Sequence, residues 1–239
     1  MAVTVCTRLL CVKLCEGSVM METKDMRIIN STMMKLKKNN MAAYYVETAA
    51  EVVPLVKTLI KEGETVTHGG SETIKQCGIV DLLNSGAYNY LDRSKAETRE
   101  EVEKIYREAY FADTYFASAN AVTESGLLYN VDGNSNRVAA IVFGPKSVIC
   151  VCGVNKLVKN IDEAIRRVKT KAAPPNTVRL GIETPCAKTG ACISLKQEDP
   201  DMCAGCHGDG RICCNYVVSA QQRHINRIKV IIIGEEYGY

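Results

Sequence analysis

The sequence predicts an α/β fold with a mainly parallel sheet and helices on both of its faces. Two observations carry this. Apolar runs of strand length alternate with stretches of helical periodicity. The most apolar of these runs, such as 147–152 and 229–233, do not alternate with polar residues, as expected of strands buried on both faces. Hydrophobic residues at 46% and charged residues at 24% add the composition of a chain that packs a core.

The elements follow in order. Ala43-Tyr44-Tyr45-Val46 reads as a strand. Val52, Val53, Val56, Leu59 and Ile60 then share a helix face that ends at Gly63, with Pro54 either starting the regular helix or kinking it. Thr65-Val66-Thr67 is a short strand, and Gly69-Gly70-Ser71 turns it into a helix near Glu72. Tyr88 to Leu91 is a further strand. Thr98 and Glu101 form a capping box before Val102, Ile105, Tyr106 and Ala109, spaced i, i+3, i+4, i+7. Thr114 to Ser118 is a buried strand. Leu127-Leu128-Tyr129 and Val138 to Phe143 read as two strands around the turn-rich Asp132-Gly133-Asn134. Ser147 to Cys152 is a strand, and Ile161, Ala164, Ile165 and Val168 mark a helix ending before Pro174-Pro175. Lys229 to Ile233 closes the sheet.

Composition excludes some function classes. Thirty basic and 27 acidic residues leave a net charge of +3, too even for nucleic-acid binding, and Lys35, Lys37 and Lys38 read as a solvated helix end. No run of ~18 apolar residues occurs, so no membrane span is expected. Residues 1–20 lack the clean apolar core of a signal peptide and read as a disordered leader before one domain at 21–239. A cytoplasmic, reducing compartment follows as the expectation. The twelve cysteines are then core residues, metal ligands or redox thiols rather than disulfides.

Four features carry chemistry. In His68-Gly69-Gly70-Ser71-Glu72-Thr73, glycines allow close backbone approach and free N–H groups at a helix start attract anions, although Ser71 as a plain N-cap explains the same residues. His68 is a candidate base or a structural histidine. The loop Asn120-Ala121-Val122-Thr123-Glu124-Ser125-Gly126 follows a buried strand, where a carboxylate serves as nucleophile or base, or is simply solvated. Asn130 to Arg137 is dense in turn formers, with Arg137 the residue suited to a carboxylate or phosphate. Finally, Cys186, Cys192, Cys203, Cys206, Cys213 and Cys214 gather in one hydrophilic stretch with His207, a pattern that suits zinc or an iron–sulfur cluster better than free thiols or a redox pair.

Several runs resemble the LUD-domain (lactate-utilisation, YkgG-like) family. They are Gly69-Gly70-Ser71, Thr123-Glu124-Ser125-Gly126, Asn130-Val131-Asp132-Gly133-Asn134, Asn136-Arg137-Val138-Ala139-Ala140, Gly153-Val154-Asn155-Lys156, Thr184-Pro185-Cys186-Ala187-Lys188-Thr189-Gly190 and Arg211-Ile212-Cys213, with the ending Val230 to Tyr239. The resemblance covers about residues 21–239 and is closest to stand-alone members with a cysteine tail. It implies a NagB/RpiA/CoA-transferase-like fold plus a small cysteine-rich knuckle at 183–216. It also implies work beside iron–sulfur partner proteins in lactate oxidation, and it admits a homodimer. By resemblance to CoA-transferases, Glu124 is the candidate acyl-forming nucleophile, with oxyanion donors from Gly69–Ser71 or Asn155. Gly69, Gly70, Ser71, Asn134, Arg137 and Asn155 are the candidate ligand-binding residues for an anionic small molecule. Residues 193–205 read as an insertion relative to the family, and His68 replaces a small apolar residue. The expected metal ligands are Cys186, Cys192, Cys206 and Cys213, for zinc or alternatively a [4Fe–4S] cluster. Cys203 competes with Cys192. The alternative to a ligand-binding enzyme or enzyme subunit is a non-catalytic protein that transfers electrons or docks a partner through the cysteine segment.

Overall fold

The computed structural model describes residues 16–239, the side chains of 16–25 excepted. In chain order the elements are α1 (Glu16–Lys38), β1 (Ala42–Val46), α2 (Val52–Leu59), β2 (Thr65–His68), α3 (Glu72–Gln76), α4 (Ile79–Leu83), β3 (Asn89–Tyr90), α5 (Arg99–Glu108), β4 (Thr114–Ala117), β5 (Ala121–Thr123), β6 (Leu128–Asp132), α6 (Asn136–Val142), β7 (Ser147–Gly153), β8 (Leu157–Val158), α7 (Ile161–Arg167), α8 (Ala173–Arg179), α9 (Pro185–Thr189), β9 (Asn215–Ser219) and β10 (Ile228–Ile233). Of the expected leader, residues 1–15 lie outside the described part and 16–20 begin α1.

Six strands form one wholly parallel sheet, ordered β1-β10-β7-β4-β2-β3. Its two faces are read directly from strand alternation. Val148, Cys150 and Cys152 of β7, with Val230 and Ile232 of β10, pack toward Ile29 and Leu36 of α1 and Ile141 of α6. Ile149 and Val151, with Ile231 and Ile233, pack toward Val52 and Val56 of α2 and Ile79 of α4. Helices therefore cover both faces, which explains why these strands read as continuous apolar runs. A second sheet, β8-β5-β6-β9, is mixed. Its Val122 and Leu128 join the α1 side of the core, while Ala121, Tyr129 and Val131 pack on Ala164, Val168 and Ala173. Cys77, Cys150 and Cys152 are buried core residues. Among the described residues no helix is long and apolar enough to cross a membrane.

Local signals are met at several positions. The Thr98–Glu101 capping box is formed in full at α5, and Pro54 sits in the first turn of α2, where its missing N–H has no partner to lose. Two expectations are corrected. Val138 to Phe143 is not a strand; residues 136–142 form α6. Ser135 turns the chain at φ 66°, the Asp132 carboxylate accepts from Val138 N–H at 3.2 Å, and Val138 and Ile141 bury one helical face. The helix after Asn160 also does not stop before Pro174. It passes through a π-helical turn at Val168–Ala172, and Pro174 and Pro175 occupy the first turn of α8, which tolerates proline.

Candidate functional site

Because β2, β4, β7 and β10 are parallel, the segments leaving their carboxyl ends meet at one edge of the sheet. The parts of these segments that face it are Gly70–Thr73, Ser118–Asn120, Lys156 and Gly238–Tyr239. Together with the Asp132–Arg137 turn, α8 and residues 209–214, they line a cleft of ≈ 770 Å³. That is the size of a small-molecule site. Five cationic side chains line it, Arg93, Arg137, Lys156, Arg179 and Arg211, against three acidic ones, Glu72, Asp132 and Asp209.

Lys156 is the notable member. It is 3% exposed, and its ammonium donates to Thr73 Oγ1 at 2.7 Å and Ser118 Oγ at 2.9 Å. Among the described residues no carboxylate pairs with it. Burial lowers its pKa to about 8, with Arg167 and Arg137 pushing the same way. A buried ammonium bonded only to hydroxyls bears much of its desolvation penalty uncompensated. In the sequence Lys156 stands in the Gly153-Val154-Asn155-Lys156 run, with nothing local to mark it as a site residue. The available signal was a lysine just past the carboxyl end of the strongest parallel strand.

Arg137 lines the cleft as expected, yet its guanidinium is already engaged. It donates to Ser118 O, Asn130 Oδ1, Asn120 Oδ1 and Val131 O, and Nε lies 3.5 Å from Asp132. With its donors spent on the protein, it holds β4, β6 and the turn together rather than gripping a ligand. Gly69 is packed behind it: a Cβ there would meet Tyr115 Oη at 2.8 Å and Arg137 Cγ at 2.9 Å. Gly70, Ser71 and Asn134 do line the cleft. Ser71 also caps α3 by accepting from Ile74 N–H. Asn155 is not on the cleft wall. Its amide donates to Gly238 O and its Oδ1 accepts from Tyr237 N–H, so it fastens the C-terminal stretch that does line the cleft. His68 stacks on Tyr90 and bonds Gly69 O, and burial lowers its pKa. It is not among the lining residues.

The expectation for Glu124 is corrected. Asn120 borders the cleft, but the chain then runs away from it as β5, and Glu124 lies in the turn at the other end of the strand. Its N–H bonds Val158 O, and Gly126 beside it abuts Lys35 and Leu36 of α1. Glu124 does not line the cleft with Gly70 and Arg137, so neither the nucleophile role nor a ligand-lining role fits this geometry.

Cys186, Cys192, Cys206 and Cys213 line one small, mostly apolar cavity, walled also by Tyr129 and Arg211. Cys203 and Cys214 are exposed and do not line it. Arg211 gathers the loop by donating to Cys203 O, Cys206 O and Cys213 O. Burial and then the other three cysteines push the Cys213 thiol up to about 12. Among the described residues no three His, Cys, Asp or Glu side chains stand in metal-ligand geometry. Cys186 Sγ lies 3.2 Å from Thr184 Oγ1, and Cys192 Sγ lies 3.3 Å from Ser194 Oγ.

The LUD domain family model matches residues 29–233. A crystal structure of a DUF162 family protein from Deinococcus radiodurans is similar over 88% of this chain and 98% of its own, at 15% identity and TM-score 0.50, a likeness of fold. eIF2B beta from Chaetomium thermophilum aligns over 48% of this chain and 41% of its own, at 18% identity and TM-score 0.31, too distant to support an argument. Among curated proteins none matches the chain. With the family model spanning most of the chain, from β1 through β10, this protein belongs to the LUD-domain family.

Proposed function

We propose that the cleft binds an anionic small molecule, of the phosphate, CoA-ester or 2-hydroxy-acid class, in oxidative organic-acid metabolism of the lactate-utilisation type. The observation that supports it is Lys156: a buried cation facing a small-molecule-sized cleft, with no carboxylate partner among the described residues. Arg93 and Arg179 add positive charge at the rim, and Arg179 is only partly offset by Glu72 at 3.6 Å. An amine of pKa about 8 also suits proton transfer to or from a bound hydroxyl near neutral pH. Free thiols fit a reducing, cytoplasmic setting.

The test is retention of small metabolites by the purified chain, followed by titration of the retained class against wild type and Lys156→Met. A charge-assisted contact is worth about 1.5–3 kcal/mol, so affinity should fall roughly 10- to 100-fold in the variant. Equal affinity in both proteins would refute the site. If no anion is retained at all, the non-catalytic reading, with iron–sulfur partner proteins docking at the cysteine segment, replaces it.

A further inference from the structure

The cysteine cavity stands apart from the chemistry of Lys156 and shares a wall with its cleft. Cys213 and Arg211 border both spaces, and the segment 209–214 that closes the cysteine cavity also forms one side of the cleft. Between residue 197 and residue 214 there is neither helix nor strand. Arg211 gathers this loop by hydrogen bonds to three cysteine carbonyls, and Lys169 adds one to Asp201 O. Such a segment has little core of its own, and a thiolate-bound ion is a common means of ordering one.

We propose that Cys186, Cys192, Cys206 and Cys213 bind one thiophilic ion of the zinc class, which staples residues 183–216 and so shapes the adjoining wall of the cleft. Three observations point to an occupant. Four thiols from separate stretches of the chain face one cavity, while Cys203 and Cys214, equally near in sequence, face away. The choice between Cys192 and Cys203 is thereby made by geometry. Tyr129, fully buried and on the cavity wall, has a hydroxyl with no hydrogen-bond partner among the described residues. A metal-bound thiolate is the acceptor such a hydroxyl lacks. The cavity is small, ≈ 30 Å³, and enclosed by the four cysteines with mostly apolar neighbours, a setting that suits one tetrahedral ion. Entry of the ion draws the sulfurs together, exchanges the contacts of Cys186 and Cys192 with Thr184 and Ser194, and releases the thiol protons to solvent.

The experiment is metal analysis of the full chain purified without chelator, aerobically and anaerobically, with a visible spectrum and a zinc titration of chelator-treated protein. The expected result is about one zinc per chain and no visible chromophore. Cys203→Ser and Cys214→Ser should retain the metal, and Cys206→Ser should lose it. Tyr129→Phe should fold, since it removes an unpaired hydroxyl, and should bind zinc roughly 10- to 100-fold more weakly. About four irons per chain with a brown chromophore would overturn the single-ion assignment. No metal in either preparation and no zinc uptake would overturn the site. These readouts do not depend on the anion, so the two proposals fail separately.

Discussion

The two ends of the four-stranded sheet are built from the same strands and do opposite work. At the cleft end, Asn120 precedes β5, Lys156 precedes β8, Asp132 ends β6 and Cys214 leads into β9. Polar side chains converge there, and Arg137 ties Ser118, Asn120, Asn130 and Val131 into one network. At the far end, Thr123 to Gly126 form a tight turn pressed on α1, where Asn39 Nδ2 donates to Ser125 O and Gly126 O. That end is a packing joint. The comparison teaches that a charged residue near a sheet edge has chemical meaning only once the direction of its strand is known. Glu124 and Lys156 sit within one residue of neighbouring strands, and only Lys156 faces the cleft.

The comparison breaks most sharply at Arg137. Arg137→Met removes a half-buried guanidinium and strands several acceptors, and should lower stability by roughly 3–5 kcal/mol in denaturant unfolding. A loss below about 1 kcal/mol would mean that the network does not hold the cleft end together. Gly126→Ala tests the far end. At φ 76° a Cβ would lie 2.6 Å from Leu36 N and Lys35 C, so strain and overpacking should lower stability by about 2–3 kcal/mol with ligand affinity unchanged.

Lys156 supplies the next effect, with the opposite sign. Its folded pKa of about 8 lies below the 10.5 of a free lysine. Below pH 8 both states are protonated, and the folded state bears the whole desolvation penalty. Between pH 8 and 10.5 the folded lysine has lost its proton while the unfolded one keeps it, so stability rises with pH, by at most roughly 3 kcal/mol. Lys156→Met should lack this rise and be more stable near pH 7 by about 1 kcal/mol, the stranded hydroxyls of Thr73 and Ser118 offsetting the rest. Anion affinity of the wild type should fall through the same window. Parallel pH–stability curves for the two proteins would contradict the buried charge. The smallest effect belongs to Glu124→Gln, which should leave anion affinity unchanged and stability within about 0.5 kcal/mol; a marked loss of affinity would return Glu124 to the site.

Sequence patterns already marked the sheet and its covering helices, because β1, β7 and β10 must be apolar on both faces and because caps such as Ser71 and Thr98 are local chemistry. They also grouped the cysteines, since clustering within a short segment is visible without knowledge of the fold. Three matters required the tertiary structure. Residues 138–143 are a short apolar run that fits strand or helix alone, and burial of Val138 and Ile141 beside the Asp132 carboxylate selected the helix. The choice of Cys192 and Cys206 over Cys203 as cavity residues depended on how a loop without regular structure folds around Arg211. The exchange of Glu124 for Lys156 as the residue facing the cleft depended on strand direction and on which cation is buried beyond reach of a carboxylate. Burial and charge pairing are sums over residues distant in the chain, so periodicity determines which segments form strands and helices, while only their packing decides which polar groups share a site.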